Sequence, residues 1–284
     1  MKTERHTALR YTAVTVTAVS LGVGAFLLLW GLLPPLPVWG RAVLFLVFLF
    51  LNALGVYRLA RGYAGEMSAK VESARQSEKS FISNASHELN NPLTAIQGEC
   101  EISLRRERSV AEYQASLGRI ASETQRIILL MKHLMFLSRG KEEILRTDSE
   151  TIILAEFMMQ FMERRICFAP DNFAFMIHVN PHLLRMALGN ILANALKYSG
   201  DKTVDIRLRG SVMEIRDRGM GIPPEELPRI FQPFYRASNT RTYTGNGIGL
   251  SLAGRILGVY GAELSLTSVL NEGTNVRIDF RHVR

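Results

Sequence analysis

The sequence predicts an α+β protein in which a transmembrane helical hairpin precedes an antiparallel helical hairpin and an α/β sandwich domain. Two long apolar runs open the chain, two helical segments with apolar seams follow, and after Leu137 strand patterns alternate with helices. The predicted boundaries are 1–10 for a cytoplasmic N-terminus, 11–58 for two spans with a very short external loop, 59–79 for a linker helix, 80–139 for the hairpin and 140–284 for the last domain.

Composition excludes several classes of protein. The 284 residues are 47% hydrophobic and 21% charged, which is too apolar for a disordered protein and too charged for a many-span transporter. Cys100 and Cys167 are the two cysteines, far apart in sequence, so a disulfide framework and a cysteine-ligated zinc site are excluded. The net charge of +8 comes from dispersed arginines, so membrane lipid, not nucleic acid, is the expected partner of those near the spans.

The N-terminal runs predict two membrane spans. The uncharged run from Tyr11 to Leu33 is long enough to cross a bilayer as a helix, and the run from Ala42 to Tyr57 follows a proline-rich turn. Basic residues precede the first run and follow the second, so the positive-inside rule places both termini in the cytoplasm. The alternative, a cleaved signal peptide, is disfavoured because the first run lacks a small-residue cleavage pattern and a second apolar segment follows at once.

The central segment predicts a helical hairpin. Apolar residues recur three or four positions apart along two stretches, the first from Ile82 to Cys100 and the second from Leu117 to Leu134. The polar connector 105–109 is short, so the helices are expected to pack antiparallel. Each helix is apolar along one stripe only, which favours a four-helix bundle formed by two copies of the chain.

His87 occupies the outermost position of the first helix. An exposed helical histidine usually has no function, but its neighbours favour one here. Pro92 removes the amide that would bond the carbonyl of Glu88, and Asn91 lies one turn after His87 on the same face. A neutral imidazole offers a nucleophilic nitrogen at cytoplasmic pH. The pattern therefore indicates chemistry on the ring nitrogen.

The C-terminal segment predicts a sheet covered on one face by helices. One strand pair is expected at 204–208 and 213–215, and another at 264–266 and 276–280. Helices are expected near 152–163, 181–198 and 250–260.

Three groups of residues in this domain are candidates for a binding site. Asn190, Asn194 and Lys197 share one helix face that suits a metal–phosphate group, although such a face is more often simply solvated. Asp217 and its closely spaced glycines form either a tight turn or an acceptor for an exocyclic amine. The glycines at 245–249 open a helix whose amides can bind phosphate, without a Walker A lysine.

Two stretches of the chain carry a family resemblance. Residues 83–94, SNASHELNNPLT, resemble the H-box of sensor histidine kinases of bacterial two-component systems, with Asn90 where the family usually has a basic residue. The segments around Asn194, Asp217, Phe231 and Gly247 resemble, in order, the N, G1, F and G2 boxes of GHKL-type ATPase domains, from about Asp148 to the C-terminus. The resemblance implies a Bergerat-type ATP-binding domain after a dimerisation and histidine phosphotransfer domain.

The resemblance also implies residue roles. His87 would be the phosphoacceptor, Glu88 the general base, and Asn91 the residue that positions water in a phosphatase reaction. Asn194 would coordinate Mg²⁺ with Asn190 in support. The other expected ATP-binding residues, with Phe231 and Phe234 anchoring a lid from about 222 to 246, are Lys197, Tyr198, Asp217, Gly219, Gly221, Ile222, Phe231, Phe234, Arg236, Gly245, Gly247, Ile248, Gly249, Leu250 and Thr274.

The function implied is that of a protein-histidine kinase. A homodimeric, multi-pass protein of the bacterial inner membrane would use ATP and Mg²⁺ to phosphorylate His87. It would pass the phosphoryl group to an aspartate of a response regulator and could act on that regulator as a phosphatase. The alternatives are a GHKL ATPase without phosphotransfer, which the H-box disfavours, and a membrane adaptor without ATP binding, which the intact Asn194, Asp217 and glycine loops disfavour.

Overall fold

The structure is a computed structural model that describes residues 37–240 and 242–283, with the backbone alone for Val38 and Arg41. The predicted first span, 11–33, lies outside the described residues. The chain divides into two compact units, one that ends at Ser80 and one that begins at Phe81.

The first described element is the long helix α1, Val38–Leu104. The helical stretch predicted from Ile82 to Cys100 is confirmed as part of α1, which ends at Leu104. From Ala42 onward α1 contains an 18-residue window with a mean hydropathy of 2.1, and among the described residues it is the one helix long and apolar enough to span a bilayer. Core helices of soluble proteins and signal sequences can have the same length and apolar composition.

The second unit begins with the predicted antiparallel hairpin. Helix α2, Val110–Ser138, follows α1 after five connecting residues, as the sequence predicted. Ser109 caps α2 in a capping box with Glu112. Between the helices, the Arg119 guanidinium donates two hydrogen bonds of 2.6 and 2.8 Å to the Glu99 carboxylate. Pairing of residues on either side of the connector fixes the antiparallel register.

Much of the predicted seam is exposed in the single chain. The exposed fractions are 59% for Ile82, 51% for Leu93, 64% for Leu117 and 50% for Met131. Ile82 and Leu93 lie about three helical turns apart on one face of α1, and Leu117 and Met131 lie about four turns apart on one face of α2. The hairpin therefore carries an apolar stripe that its own two helices leave exposed.

The remaining elements form an α/β domain. Its helices are α3, Lys141–Leu145, α4, Leu154–Met159, α5, Pro181–Tyr198, and α6, Gly249–Val259. Its strands are β1, Glu150–Ile153, β2, Ile166–Pro170, β3, Met176–Val179, β4, Val204–Arg209, β5, Val212–Arg216, β6, Glu263–Val269, and β7, Gly273–Asp279. Five strands form a sheet in the order β2-β4-β5-β7-β6, and β1 pairs separately with β3.

Side-chain alternation explains why one face of the sheet is covered. In β4 the inward residues Val204, Ile206 and Leu208 are fully buried, whereas Arg207 and Arg209 are exposed. Met213 and Ile215 continue the buried face in β5. Helices α5 and α6 pack on each other and contribute to the same core, so the long predicted helices and both predicted strand pairs are confirmed.

The start predicted for the helix near 152–163 is wrong. Residues 150–153 form β1, in which Ile152 and Ile153 pair with Ile177 and Met176, and the helix covers only 154–159. Two consecutive isoleucines are β-branched and favour the extended strand. Strands β1, β2 and β3 were not predicted.

The helix that carries most of the candidate site residues begins at an asparagine cap. The Asn180 side-chain oxygen accepts a hydrogen bond from the Leu183 amide, and Pro181 occupies the first turn. The Asn180 amide group also donates to the Asp148 carbonyl at 2.6 Å. Asn180 therefore fixes both the start of α5 and the segment before β1.

We expect Asn180→Ala to lower the free energy of unfolding of the α/β domain by about 1–2 kcal/mol, because the cap is lost. Chemical denaturation followed by circular dichroism measures this change. Asn180→Ser is the matched comparison, since its hydroxyl can still cap α5 without turning an acceptor toward the Asp148 carbonyl, and we expect it to recover part of the loss. Equal stability of Asn180→Ala and the parent would contradict the assigned cap.

Candidate functional site

A cleft lies between α5, the turn after β5, and the segment that connects β5 to α6. Its lining includes thirteen of the seventeen residues predicted to bind ATP: Asn190, Asn194, Lys197, Tyr198, Asp217, Gly221, Ile222, Arg236, Gly245, Gly247, Gly249, Leu250 and Thr274. Residues that are up to 84 positions apart in the chain thus meet in one place.

Asp217 is the buried acid of the cleft, with 6% of its surface exposed. Its Oδ1 accepts hydrogen bonds from the backbone amides of Gly219, at 2.8 Å, and Thr274, at 3.2 Å. Burial raises the pKa of the Asp217 carboxyl, and the two backbone hydrogen bonds partly offset that rise. Both recorded bonds use Oδ1, so Oδ2 can accept a donor from a ligand in the cleft.

Two glycines allow the backbone to pack closely around Asp217. Gly221 has φ +65°, and a Cβ there would lie 2.0 Å from the Val269 carbonyl oxygen. Gly273 has φ +125°, and its Cβ would lie 2.2 Å from the Asp217 carbonyl oxygen. Any side chain at either position would push the turn after β5 away from the β6–β7 hairpin.

The side chains of α5 provide the polar wall of the cleft. The Asn190 amide group donates to the Met186 carbonyl at 2.8 Å, which leaves its oxygen facing Gly249 in the glycine loop. No hydrogen bond of the Asn194 side chain is recorded within the described residues, and Asn194 lines the cleft one turn later. Lys197 follows, with its ammonium nitrogen 5.1 Å from the Tyr198 ring centre.

Two cations face the same cleft. Burial, and to a lesser extent the nearby Arg236 guanidinium, lower the pKa of Lys197. Arg236 donates to the carbonyls of Thr240, at 2.6 Å, and Tyr243, at 2.5 Å, within its own segment. Two neighbouring cations that repel one another are stabilised by an anion, so the cleft suits a phosphate group.

The cleft fits a magnesium nucleotide in the chemistry of its donors. Among residues 37–240 and 242–283, no three His, Cys, Asp or Glu side chains are grouped to hold a metal ion. The oxygens available near the cations belong to the Asn190 and Asn194 amides. Mg²⁺ commonly takes few protein oxygens and completes its shell with phosphate and water, so these amides suit it.

Four predicted ATP-binding residues do not line the cleft. Ile248 is fully buried at the start of α6, and Phe231 packs near Gly254 on that helix. Phe234 packs against Phe81 of α1, with ring centres 5.6 Å apart. Gly219 lies beneath the cleft, where its amide bonds Asp217.

Some cleft residues were missed by sequence reasoning. Hydrophobic lining comes from Ile191, Ala195, Ile230, Ala237, Leu266 and Val276, and further lining from Tyr235, Thr240 and Asn246. Ile191 and Ala195 belong to α5, and Leu266 and Val276 to β6 and β7, so their periodicity does not distinguish cleft from core. Ile230 and Ala237 lie in the segment between β5 and α6, where no regular periodicity marks them. Tyr235 and Asn246 could have been predicted as cleft residues, because they are the sequence neighbours of the predicted residues Arg236 and Gly245.

The predicted phosphotransfer residues lie on α1, outside the cleft. His87 and Asn91 are exposed, Glu88 is half-buried, and Pro92 is buried. The helix continues through Pro92, which cannot supply an amide to the Glu88 carbonyl. The imidazole is therefore accessible to another domain or protein.

Comparisons with known proteins match both parts of the second unit. Residues 77–143 match the family described as the His Kinase A (phospho-acceptor) domain, and residues 179–284 match the histidine kinase-, DNA gyrase B- and HSP90-like ATPase family. The signal transduction histidine-protein kinase ArlS of Staphylococcus aureus is 29% identical over 231 residues, which cover 76% of this chain and 51% of ArlS. The chain thus spans about half the length of the curated relatives it matches.

Solved structures of histidine kinases are also similar. Full-length ShkA in complex with AMPPNP is 18% identical, with a TM-score of 0.50 over 70% of this chain and 45% of ShkA, which supports the fold alone. The histidine kinase AdeS of Acinetobacter baumannii is 19% identical, with a TM-score of 0.49 over 69% of this chain and 98% of AdeS. The two matched domains occur in the order that the sequence predicted. The chain therefore contains a histidine kinase phosphoacceptor domain followed by a histidine kinase-, DNA gyrase B- and HSP90-like ATPase domain.

Proposed function

We propose that the chain is a membrane-bound, homodimeric sensor histidine kinase that transfers the γ-phosphoryl group of ATP to His87 and then to an aspartate of a response regulator. One observation carries the proposal: a single compact unit holds an exposed histidine in an H-box and a cleft with a buried acid and two cations. The fold provides both the nucleophile and a site for its phosphoryl donor.

In the proposed complex, Asp217 recognises the base and the cations bind the phosphates. The free Oδ2 of Asp217 accepts the exocyclic amino group of adenine, while Oδ1 stays bonded to the backbone. Lys197, Arg236 and the amides at the start of α6 bind phosphate oxygens. Asn194, with Asn190, would hold Mg²⁺, and the ion would supply positive charge to offset the charge that develops on the transferred group.

Phosphoryl transfer requires little of the protein beyond positioning. An unprotonated ring nitrogen of His87 forms a bond to the γ-phosphorus as the bond to the bridging oxygen breaks, and ADP leaves with that electron pair. The Glu88 carboxylate accepts a hydrogen bond from the N–H of the other ring nitrogen, or takes that proton as the general base. The phosphoryl group then passes to a carboxylate oxygen of the regulator, and Asn91 positions water when the enzyme works as a phosphatase.

The exposed seam supports the homodimer. Ile82, Leu93, Leu117 and Met131 are each at least half exposed in the single chain. Packing two hairpins seam to seam would remove these side chains from water and give a four-helix bundle. The apolar part of α1 from Ala42 supports the membrane anchor, and the predicted topology places the kinase domains in the cytoplasm.

Asp217→Asn tests base recognition. Because Oδ1 must accept two backbone amides, the substituted NH₂ group would face the adenine amino group, and two donors cannot bond. We expect ATP binding to weaken about 10- to 100-fold, the cost of a buried unsatisfied donor. Calorimetric titration with MgATP measures the change, Asp201→Asn on the exposed surface is the control, and unchanged affinity would exclude the assigned role.

Asn194→Ala tests the metal site. Removing the amide oxygen deletes a proposed Mg²⁺ ligand, so we expect at least a tenfold higher magnesium requirement for autophosphorylation, with a smaller effect on metal-free nucleotide binding. A magnesium titration of ³²P incorporation gives the half-saturating concentration. Asn172→Ala, in the exposed loop before β3, serves as the control. The assignment fails if both variants show the parent's magnesium dependence.

His87→Ala tests the phosphoacceptor. We expect the variant to bind MgATP like the parent but to incorporate no acid-labile phosphate, because a phosphorus–nitrogen bond needs the imidazole. Incubation with γ-³²P-ATP followed by acid and alkali treatment measures the linkage. His182→Ala, an exposed histidine of α5, is the control. Labelling of His87→Ala would place the acceptor elsewhere, while nucleotide binding without labelling of the parent would favour an ATPase that lacks phosphotransfer.

A further inference from the structure

The turn after Asp217 is a fixed point beside the cleft. The Met220 amide donates to the Tyr198 carbonyl at 3.3 Å, and the Met220 carbonyl accepts from Asn271 at 2.8 Å. The Ile222 amide donates to the Ser268 hydroxyl at 2.9 Å. The Gly221 carbonyl oxygen between them therefore belongs to a rigid part of the domain, anchored both to α5 and to the β6–β7 hairpin.

Asn239 links the lid to this fixed point. Its side-chain amide donates to the Gly221 carbonyl at 2.9 Å, across 18 positions of sequence. Its Oδ1 is buried and has no hydrogen-bond partner among the described residues. Buried polar atoms without partners are rare in native proteins and call for an explanation. The side chain of Asn239 keeps its hydrogen bond to Gly221 although this orientation leaves Oδ1 without a partner.

The segment around Asn239 carries Arg236, one of the two cations of the proposed site. Arg236 donates to the carbonyl of Thr240, the residue next to Asn239, and to that of Tyr243. The Ser238 amide, on the other side, donates to Glu226 at 2.9 Å, which ties the two short 3₁₀ helices at 224–229 and 238–240 together. A shift of Asn239 would therefore move Arg236 with it.

We propose that Asn239 is a positioning residue that fastens the lid to the base-binding turn and thereby holds Arg236 over the nucleotide phosphates. The inference rests on the proposed ATP binding and adds a residue that does not itself line the cleft. Asn239 acts through the backbone carbonyl of Gly221, in the turn that follows Asp217, so the turn that holds the base-recognising acid also holds the segment that binds phosphate. Loss of the amide donor frees the lid without altering base recognition.

The test measures how fast nucleotide leaves the full-length protein. A fluorescent ATP analogue bound with Mg²⁺ is chased with excess MgATP in a stopped-flow instrument. We expect Asn239→Ala to release the analogue about tenfold faster, the usual effect of one lost hydrogen bond. Asn239→Asp keeps the shape but turns an acceptor toward the Gly221 carbonyl, so we expect the same or a larger increase. Gln232→Ala, an exposed amide of the same segment, is the control and keeps the parental rate.

A double-mutant cycle separates positioning from general destabilisation. If Asn239 acts through Arg236, then adding Asn239→Ala to Arg236→Ala changes the release rate by less than twofold. Additive effects, or rates of both Asn239 variants within twofold of the parent, would overturn the inference. Thermal unfolding of each variant within a few degrees of the parent excludes loss of the fold. Failure of the parent to bind MgATP would instead overturn the proposed function itself.

Discussion

The buried carboxylate of Asp217 is the constraint on which the site depends. A carboxylate loses hydration when it is buried, so it requires hydrogen bonds in return. Asp217 obtains them from the backbone amides of Gly219 and Thr274, one in the turn that follows β5 and one in β7. The close approach of Gly273 to the Asp217 backbone follows from this arrangement. It also leaves one carboxylate oxygen directed to a ligand, in a position that the sheet fixes.

The second unit joins its cleft to its histidine-bearing helix through the lid. Phe234 has φ +67°, which is unusual for a bulky residue and requires support from its surroundings. Its amide donates to the Gly247 carbonyl at 3.1 Å, and its ring packs against Phe81, six positions before His87. Arg255 of α6 bonds the Arg139 carbonyl at the end of α2. The lid, glycine loop and hairpin are thus in mutual contact, and phosphotransfer would have to rearrange some of these contacts.

Strong local signals made most of the fold predictable. The alternation from Val204 to Ile215 predicted the β4–β5 hairpin, and the short polar connector predicted the antiparallel helical hairpin. The short strands β1 to β3 escaped because their pairing depends on distant partners such as Val204. Asn190 and Asn194 were predictable because polar residues at helical spacing stand out, and Asp217 because closely spaced glycines follow a carboxylate at the end of a strand. The role of Asn239 was not predictable, because its partner, the Gly221 carbonyl, lies 18 positions away and no local sequence pattern indicates the contact.

The proposed recognition of the base depends on a hydrogen bond from an exocyclic amino group to Asp217. The most direct measurement is a calorimetric comparison of MgATP with magnesium inosine triphosphate, which carries a carbonyl oxygen where adenine has its amine. A carboxylate oxygen and a carbonyl oxygen that face each other repel one another. We therefore expect the inosine nucleotide to bind at least tenfold more weakly than MgATP. Equal affinities for the two nucleotides would contradict it.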